Sequence, residues 1–116
     1  MSTVILSAVR TPIAAFMGGF ASMSAPQLGS IVIKEAVKRA KVNPQEINEV
    51  IMGNVLTSGV GQAPARQASI YAGLPLSVEC MTINKVCGSG LKYVMLVDQA
   101  MKSGDTKVIL TGGKES

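Results

Sequence analysis

Short aliphatic runs and helix-period segments take turns along this chain, with glycine or proline near most of the boundaries. "TVILSAV" (Thr3–Val9) reads as a buried strand that ends at Arg10-Thr11-Pro12. Beyond a loop, Ser24 and Gln27 fit a capping box. Leu28, Ile31, Val32, Ala36, Val37 and Ala40 then recur at helical spacing. Lys38, Arg39 and Lys41 stand where cations suit a helix C-terminus, and Asn43-Pro44 stops the helix. "EVIMGNVL" (Glu49–Leu56) reads as a second strand, and "SGVGQ" (Ser58–Gln62) as a loop. Pro64 opens a short helix through about Tyr71. "CMTINKV" (Cys80–Val86) is a third strand, Leu91 to Met101 a third helix, and "KVILTGG" (Lys107–Gly113) a fourth strand. Strands separated by helices of this length imply crossover connections. The expected class is therefore α/β: a βαβαβαβ portion with a mostly parallel sheet and helices on both faces.

A chain of 116 residues is one domain at most and is long enough to bury a core without disulfides or a metal. Aromatics are scarce, so aliphatics and seven methionines must fill that core. The net charge of +4 is spread out, and Lys34 to Lys41 alternates with apolar positions as a solvated helix face does. A basic patch with interleaved aromatics is missing, so no nucleic-acid partner is expected. No stretch approaches the roughly 18 apolar residues of a membrane span, and no secretory signal or transit peptide is visible. The expected setting is cytoplasmic, without membrane attachment. Cys80 and Cys87 do not form a CxxC pair, and there is no histidine, so no metal site is expected. Gly59-Val-Gly61 and Gly88-Ser-Gly90 lack the partners that a phosphate loop needs.

The Leu91–Met101 helix has only Lys92, Asp98 and Gln99 as polar residues. A surface helix would show a wider polar face. This one expects cover on nearly all sides, from another domain or another chain.

"NKVCGSGLK" (Asn84–Lys92) places Cys87 between a strand and a helix, at the edge of an α/β sheet where ligands gather. Helix N-terminal N–H groups favour a thiolate, and also an oxyanion forming on a bound carbonyl. Gly88, Ser89 and Gly90 leave room for a bulky acyl donor to reach the sulfur. The same residues also fit a small core cysteine whose glycines bring helix and sheet together. Cys80, inside a strand, fits that structural role better. A helix terminus contributes only about 0.3–1 kcal/mol. A strong nucleophile also needs a base, usually histidine, and this chain has none.

"VILSAVRTPI", "GNVL", "GQAPARQA", "TINKVCGSGLK" and "GGKES" resemble, in that order, the N-terminal part of the thiolase family, in its acetyl-CoA acetyltransferase branch. Ketoacyl synthases share the fold but differ around their cysteine. The resemblance runs over essentially all of residues 1–116, which would be an incomplete N-terminal domain, roughly the first third of such an enzyme. It implies a Claisen condensation of two acetyl-CoA to acetoacetyl-CoA and CoA, and the reverse thiolysis. Cys87 would be the nucleophile that forms the acetyl-thioester intermediate, and its backbone N–H would supply half of an oxyanion hole. Coenzyme A thioesters would be substrates, with no resident cofactor. The coenzyme A contacts, the activating histidine and a second cysteine would lie outside this chain, which alone would be inactive. The resemblance also implies a homo-oligomer, dimer or tetramer, with Met81–Val86 as a candidate interface. Family members usually carry Met where this chain has Lys114, and a buried lysine there would be costly. Two other readings stand beside this one: a reactive-thiol redox protein using Cys87, and a non-catalytic interaction chain.

Overall fold

The computed structural model describes residues 2–116, and its first helix begins at the capping box expected at Ser24. Ser24 Oγ accepts the Gln27 N–H at 3.3 Å, and Gln27 Oε1 accepts the Ser24 N–H at 2.8 Å. Two of the donors that a helix start leaves free are thereby satisfied. Helix α1 (Ala25–Ala40) closes at Lys41 in the left-handed region, with Lys38 and Arg39 in its last turn. Asn43 Oδ1 caps a single 3-10 turn at Pro44–Glu46 by accepting the Gln45 N–H. The chain then runs β1 (Glu49–Gly53), α2 (Pro64–Tyr71), β2 (Glu79–Ile83), α3 (Ser89–Ser103) and β3 (Ile109–Gly113).

The sheet has the order β2-β1-β3, and both pairings are parallel. Central β1 reads Val-Ile-Met through its middle because both of its faces are covered. Val50, Ile51 and Met52 are all essentially inaccessible. Val50 and Met52 join Ile33 of α1, Ala65 and Ala68 of α2, and Leu74 and Val78 in one cluster. On the other face Gly53 lies against Ser89 and Tyr93 of α3. Small residues set the spacing of the first layer. A Cβ on Gly29 of α1 would stand 3.1 Å from the Ala68 Cβ and 3.5 Å from the Met52 Cε. The expected class is borne out: α/β, parallel, with α1 and α2 on one face and α3 on the other.

One expected element differs. Thr3–Val9 is not a strand, so among the described residues the sheet has three strands and β3 is an edge. Thr3 Oγ1 donates to Asp98 Oδ1 of α3 at 2.7 Å, and Ser7 Oγ donates to the Ala36 carbonyl of α1 at 2.7 Å. Hydroxyls thus pin the segment between the two helical layers. Val4, Ile5 and Leu6 remain exposed. Aliphatic composition favours a strand only where a ladder partner is at hand, and here side-chain bonds hold the segment instead.

The other strands are shorter than expected for similar reasons. Glu49–Leu56 ends at Gly53, where the chain turns away at Asn54. Cys80–Val86 begins one residue earlier and stops at Ile83, because the Asn84 side chain takes the Val86 N–H. Lys107 and Val108 both donate to Asn48 Oδ1 at 2.9 Å, so β3 starts at Ile109. Helix α3 extends beyond Leu91–Met101 at both ends and is closed by Gly104 in the left-handed region. Its outer face is open: Leu91, Val94 and Met95 are 78%, 48% and 51% exposed.

Lys114, just past β3, is buried at 6% exposure. Its stem fills the space beside Gly29, where a Cβ would come within 2.7 Å of its Cδ. Its Nζ donates to Asn54 Oδ1 at 3.1 Å. Burial is the main influence on the amine and lowers its pKa to about 8, while the Glu115 carboxylate pulls the other way.

Two predictions arise from this packing. Below about pH 8 the folded and unfolded chains both hold the Lys114 proton, and the penalty of burying the charge is present in full. Between about 8 and the ordinary 10.5 only the unfolded chain still holds it, so stability rises with pH across that window. Lys114→Met should flatten the rise in urea unfolding and stabilise the chain near neutral pH by on the order of 1–3 kcal/mol. A loss of stability on that substitution would contradict the packing described. The open face of α3 should bind an apolar dye and drive self-association in sedimentation, and Leu91→Lys with Met95→Lys should suppress both.

Candidate active site

The path of the chain opens a crevice at the carboxyl edge of the sheet. From β1 the chain leads to α2 on one face, and from β2 it leads to α3 on the other. β1 and β2 are neighbours, so their exits part from each other. A crevice forms where exits diverge in this way. It is a hollow of about 280 Å³. Gly53 at the end of β1 and Val55 beyond it, Val86 and Ser89 beyond β2, and Lys114 and Glu115 beyond β3 line it.

Cys87 stands on the turn from β2 to α3, with its thiol exposed. The turn is tied by its own groups. Asn84 Oδ1 accepts the Val86 N–H at 2.9 Å, and the Lys85 carbonyl accepts the Gly88 N–H at 2.9 Å. Ser89 is buried and does two jobs: its Oγ accepts the Lys85 N–H at 2.9 Å and donates to the Val86 carbonyl at 2.8 Å. Val86 takes a positive φ of 49°, which swings the chain round so that Cys87 faces outward. Gly88 is the N-cap of α3, and no side chain caps that helix.

Among the described residues, the backbone hydrogen bonds around the turn run from Gly88, Ser89 and Lys92; the N–H groups of Cys87, Gly90 and Leu91 take part in none of them. These are the orphan donors of a helix start. The Cys87 N–H belongs to the residue that bears the exposed sulfur, and a free N–H can stabilise the negative charge of an oxyanion. Cys80, expected to be structural, sits in β2, half-buried, with its Sγ 3.6 Å from the Val78 carbonyl.

A second cluster lies beyond β1 and β3. Asn54, fully buried, donates through Nδ2 to Glu115 Oε2 at 3.3 Å and to the Leu56 carbonyl at 3.3 Å. Its Oδ1 accepts from Lys114 Nζ, and its backbone N–H donates to the Ile83 carbonyl of β2 at 3.1 Å. The Glu115 carboxylate also accepts the N–H groups of Val55 and Leu56. Sequence reasoning singled out Cys87 and remarked on Lys114. It gave no role to Asn54, Glu115 or Asn84, and gave Ser89 only that of leaving room for an acyl donor. Asn54 and Glu115 were visible only as letters within "GNVL" and "GGKES". A polar residue directly after a buried strand was the available signal.

Residues 3–116 match the N-terminal domain of thiolases as a family. An acetyl-CoA acetyltransferase of Cupriavidus necator is 57% identical over 113 residues, covering 97% of this chain and 29% of that protein. The mitochondrial acetyl-CoA acetyltransferase of Bos taurus is 50% identical, again over 97% of this chain and 27% of that protein. Among solved structures, the Acat5 thiolase from Ascaris suum in complex with coenzyme A superposes with a TM-score of 0.86 at 50% identity. That match covers 89% of this chain and 27% of the other. The chain thus spans under a third of the length of these relatives. By the match along residues 3–116 and the shared fold, it belongs to the thiolase family.

Proposed function

We propose that this chain carries the acyl-accepting cysteine of an acetyl-CoA C-acetyltransferase, and that Cys87 is the residue acetylated. The observation that carries this reading is the exposed Cys87 thiol on a tied turn, beside N–H groups that the turn itself leaves unused. The Cys87 sulfur attacks the carbonyl carbon of acetyl-CoA, and the Cys87 N–H and neighbouring helix-start donors hold the oxyanion. The carbon–sulfur bond to coenzyme A then breaks, coenzyme A departs as its thiol, and an acetyl-cysteine remains. A second acetyl-CoA, stripped of an α-proton, attacks that thioester. Acetoacetyl-CoA forms and the Cys87 sulfur is released. Reversal of these steps is thiolysis.

This chemistry needs a base for the thiol and for the α-proton, and residues 1–116 contain no histidine. The base, the coenzyme A cradle and the cover for α3 therefore come from residues outside these. A homo-oligomer in which β2 meets its counterpart is part of the same reading. The open apolar face of α3 favours a second one, an interaction chain without catalysis.

Cys87 should outpace Cys80 under limiting iodoacetamide in the folded chain, because Cys80 is half-buried in a strand. Mass mapping reads this out, and preferential labelling of Cys80 would refute the assignment. With acetyl-CoA, the 116-residue chain should acetylate Cys87 slowly and without saturation, and it should not turn over in a thiolysis assay. Loss of a general base alone forfeits about 10²–10⁴ in rate, and lost positioning multiplies that. Saturable turnover abolished by Cys87→Ser would show that these residues suffice for catalysis. No acetylation of Cys87 at all would favour the interaction chain.

A further inference from the structure

Lys114 Nζ donates to Asn54 Oδ1, and the Asn54 N–H donates to the Ile83 carbonyl, where β2 ends. The next residue, Asn84, holds the Val86 N–H beside Cys87. A second route runs through Gly53. Its carbonyl accepts the Lys114 N–H at 3.0 Å, and a Cβ at Gly53 would lie 3.1 Å from the Ser89 Cβ. Ser89 in turn bonds both Lys85 and Val86. Two short paths of hydrogen bonds and close contact thus lead from the end of β3 to the turn that presents the thiol. Nothing in the family match assigns a role to this lysine.

We propose that Lys114 is a positioning residue for the Cys87 turn, its amine acting through the buried Asn54; the Gly53 bond is made by the Lys114 backbone and does not depend on the amine. The proposal rests on Cys87 being the acyl carrier only for its catalytic meaning; the mechanical coupling stands apart from it. The amine donates to a neutral amide, and a charged donor makes that bond roughly twice as strong as a neutral one. Loss of the proton therefore slackens the hold on Asn54. The lysine stem lies beside Gly29 of α1, which is not ionisable, and Asn54 holds its amine. Glu115 is the one charge that acts on it, and its carboxylate is held by the Val55 and Leu56 N–H groups and the Asn54 amide. Burial brings the amine's titration down to about 8, within reach of a solution experiment.

The test is a pH titration of the 116-residue chain by two-dimensional amide NMR in a Cys87→Ser background, so that the thiol's own ionisation is absent. The Asn54 side-chain amide and the Val86 and Gly88 backbone amides should shift together, with one midpoint near 8. Lys114→Met should leave all of them flat, and Lys114→Gln serves if that variant fails to fold. In the Cys87-containing chain, the ratio of alkylation rates between wild type and Lys114→Met should change by about twofold or more between about pH 7 and about pH 9.5. An Asn54 signal that titrates while Val86 and Gly88 stay still would confine Lys114 to its own corner and overturn the proposal. Turn amides that still titrate in the Lys114 variants, or that move without Asn54, would also overturn it. Failure of acetyl transfer to Cys87 would count against the proposed function and leave the NMR result unaffected.

Discussion

The side chain of Asn54 is the joint on which the carboxyl edge depends. A parallel sheet ties its strands along their length, but beyond the last ladder bond each exit is free to go its own way. Here one fully buried residue reaches the exits on both sides of β1: through its backbone N–H to β2, and through its side-chain amide to Lys114 and Glu115 beyond β3. A buried amide left partly unpaired is costly, whereas one whose groups are all engaged fixes its neighbours. The hollow at the carboxyl edge, lined by Val55, Val86, Lys114 and Glu115, is bordered by loops that share this hub.

The Glu115 carboxylate carries the same logic a step outward. It gathers the Val55 and Leu56 N–H groups, which would otherwise point at the crevice as free donors. The loop after β1 is thereby tied to the chain that leaves β3.

Much of the fold was legible in the sequence because it follows from local rules. The capping box at Ser24, the proline start of α2 and the glycine stop of α3 each act within a few residues of themselves. The run Val50-Ile51-Met52 announced a strand by its unbroken apolar character, and the structure places it at the centre of the sheet. Thr3–Val9 was misread because strand formation depends on a partner that no local pattern encodes, and the hydroxyls of Thr3 and Ser7 hold it elsewhere. Cys87 was legible from its glycines and its place between strand and helix. Asn54 was not, since its meaning lies in contacts with residues about 30 and 60 positions further along.

The left-handed backbone of Val86 carries a consequence for how this turn responds to change. A β-branched residue is poorly suited to positive φ, and holding one there stores on the order of 1–3 kcal/mol. The turn is in effect a loaded spring, latched by Asn84 and Ser89. Glycine at this position would relieve the tension, yet it would also widen the range of angles at which the sulfur is offered. Drift toward a more stable turn would therefore blunt the aim of the thiol.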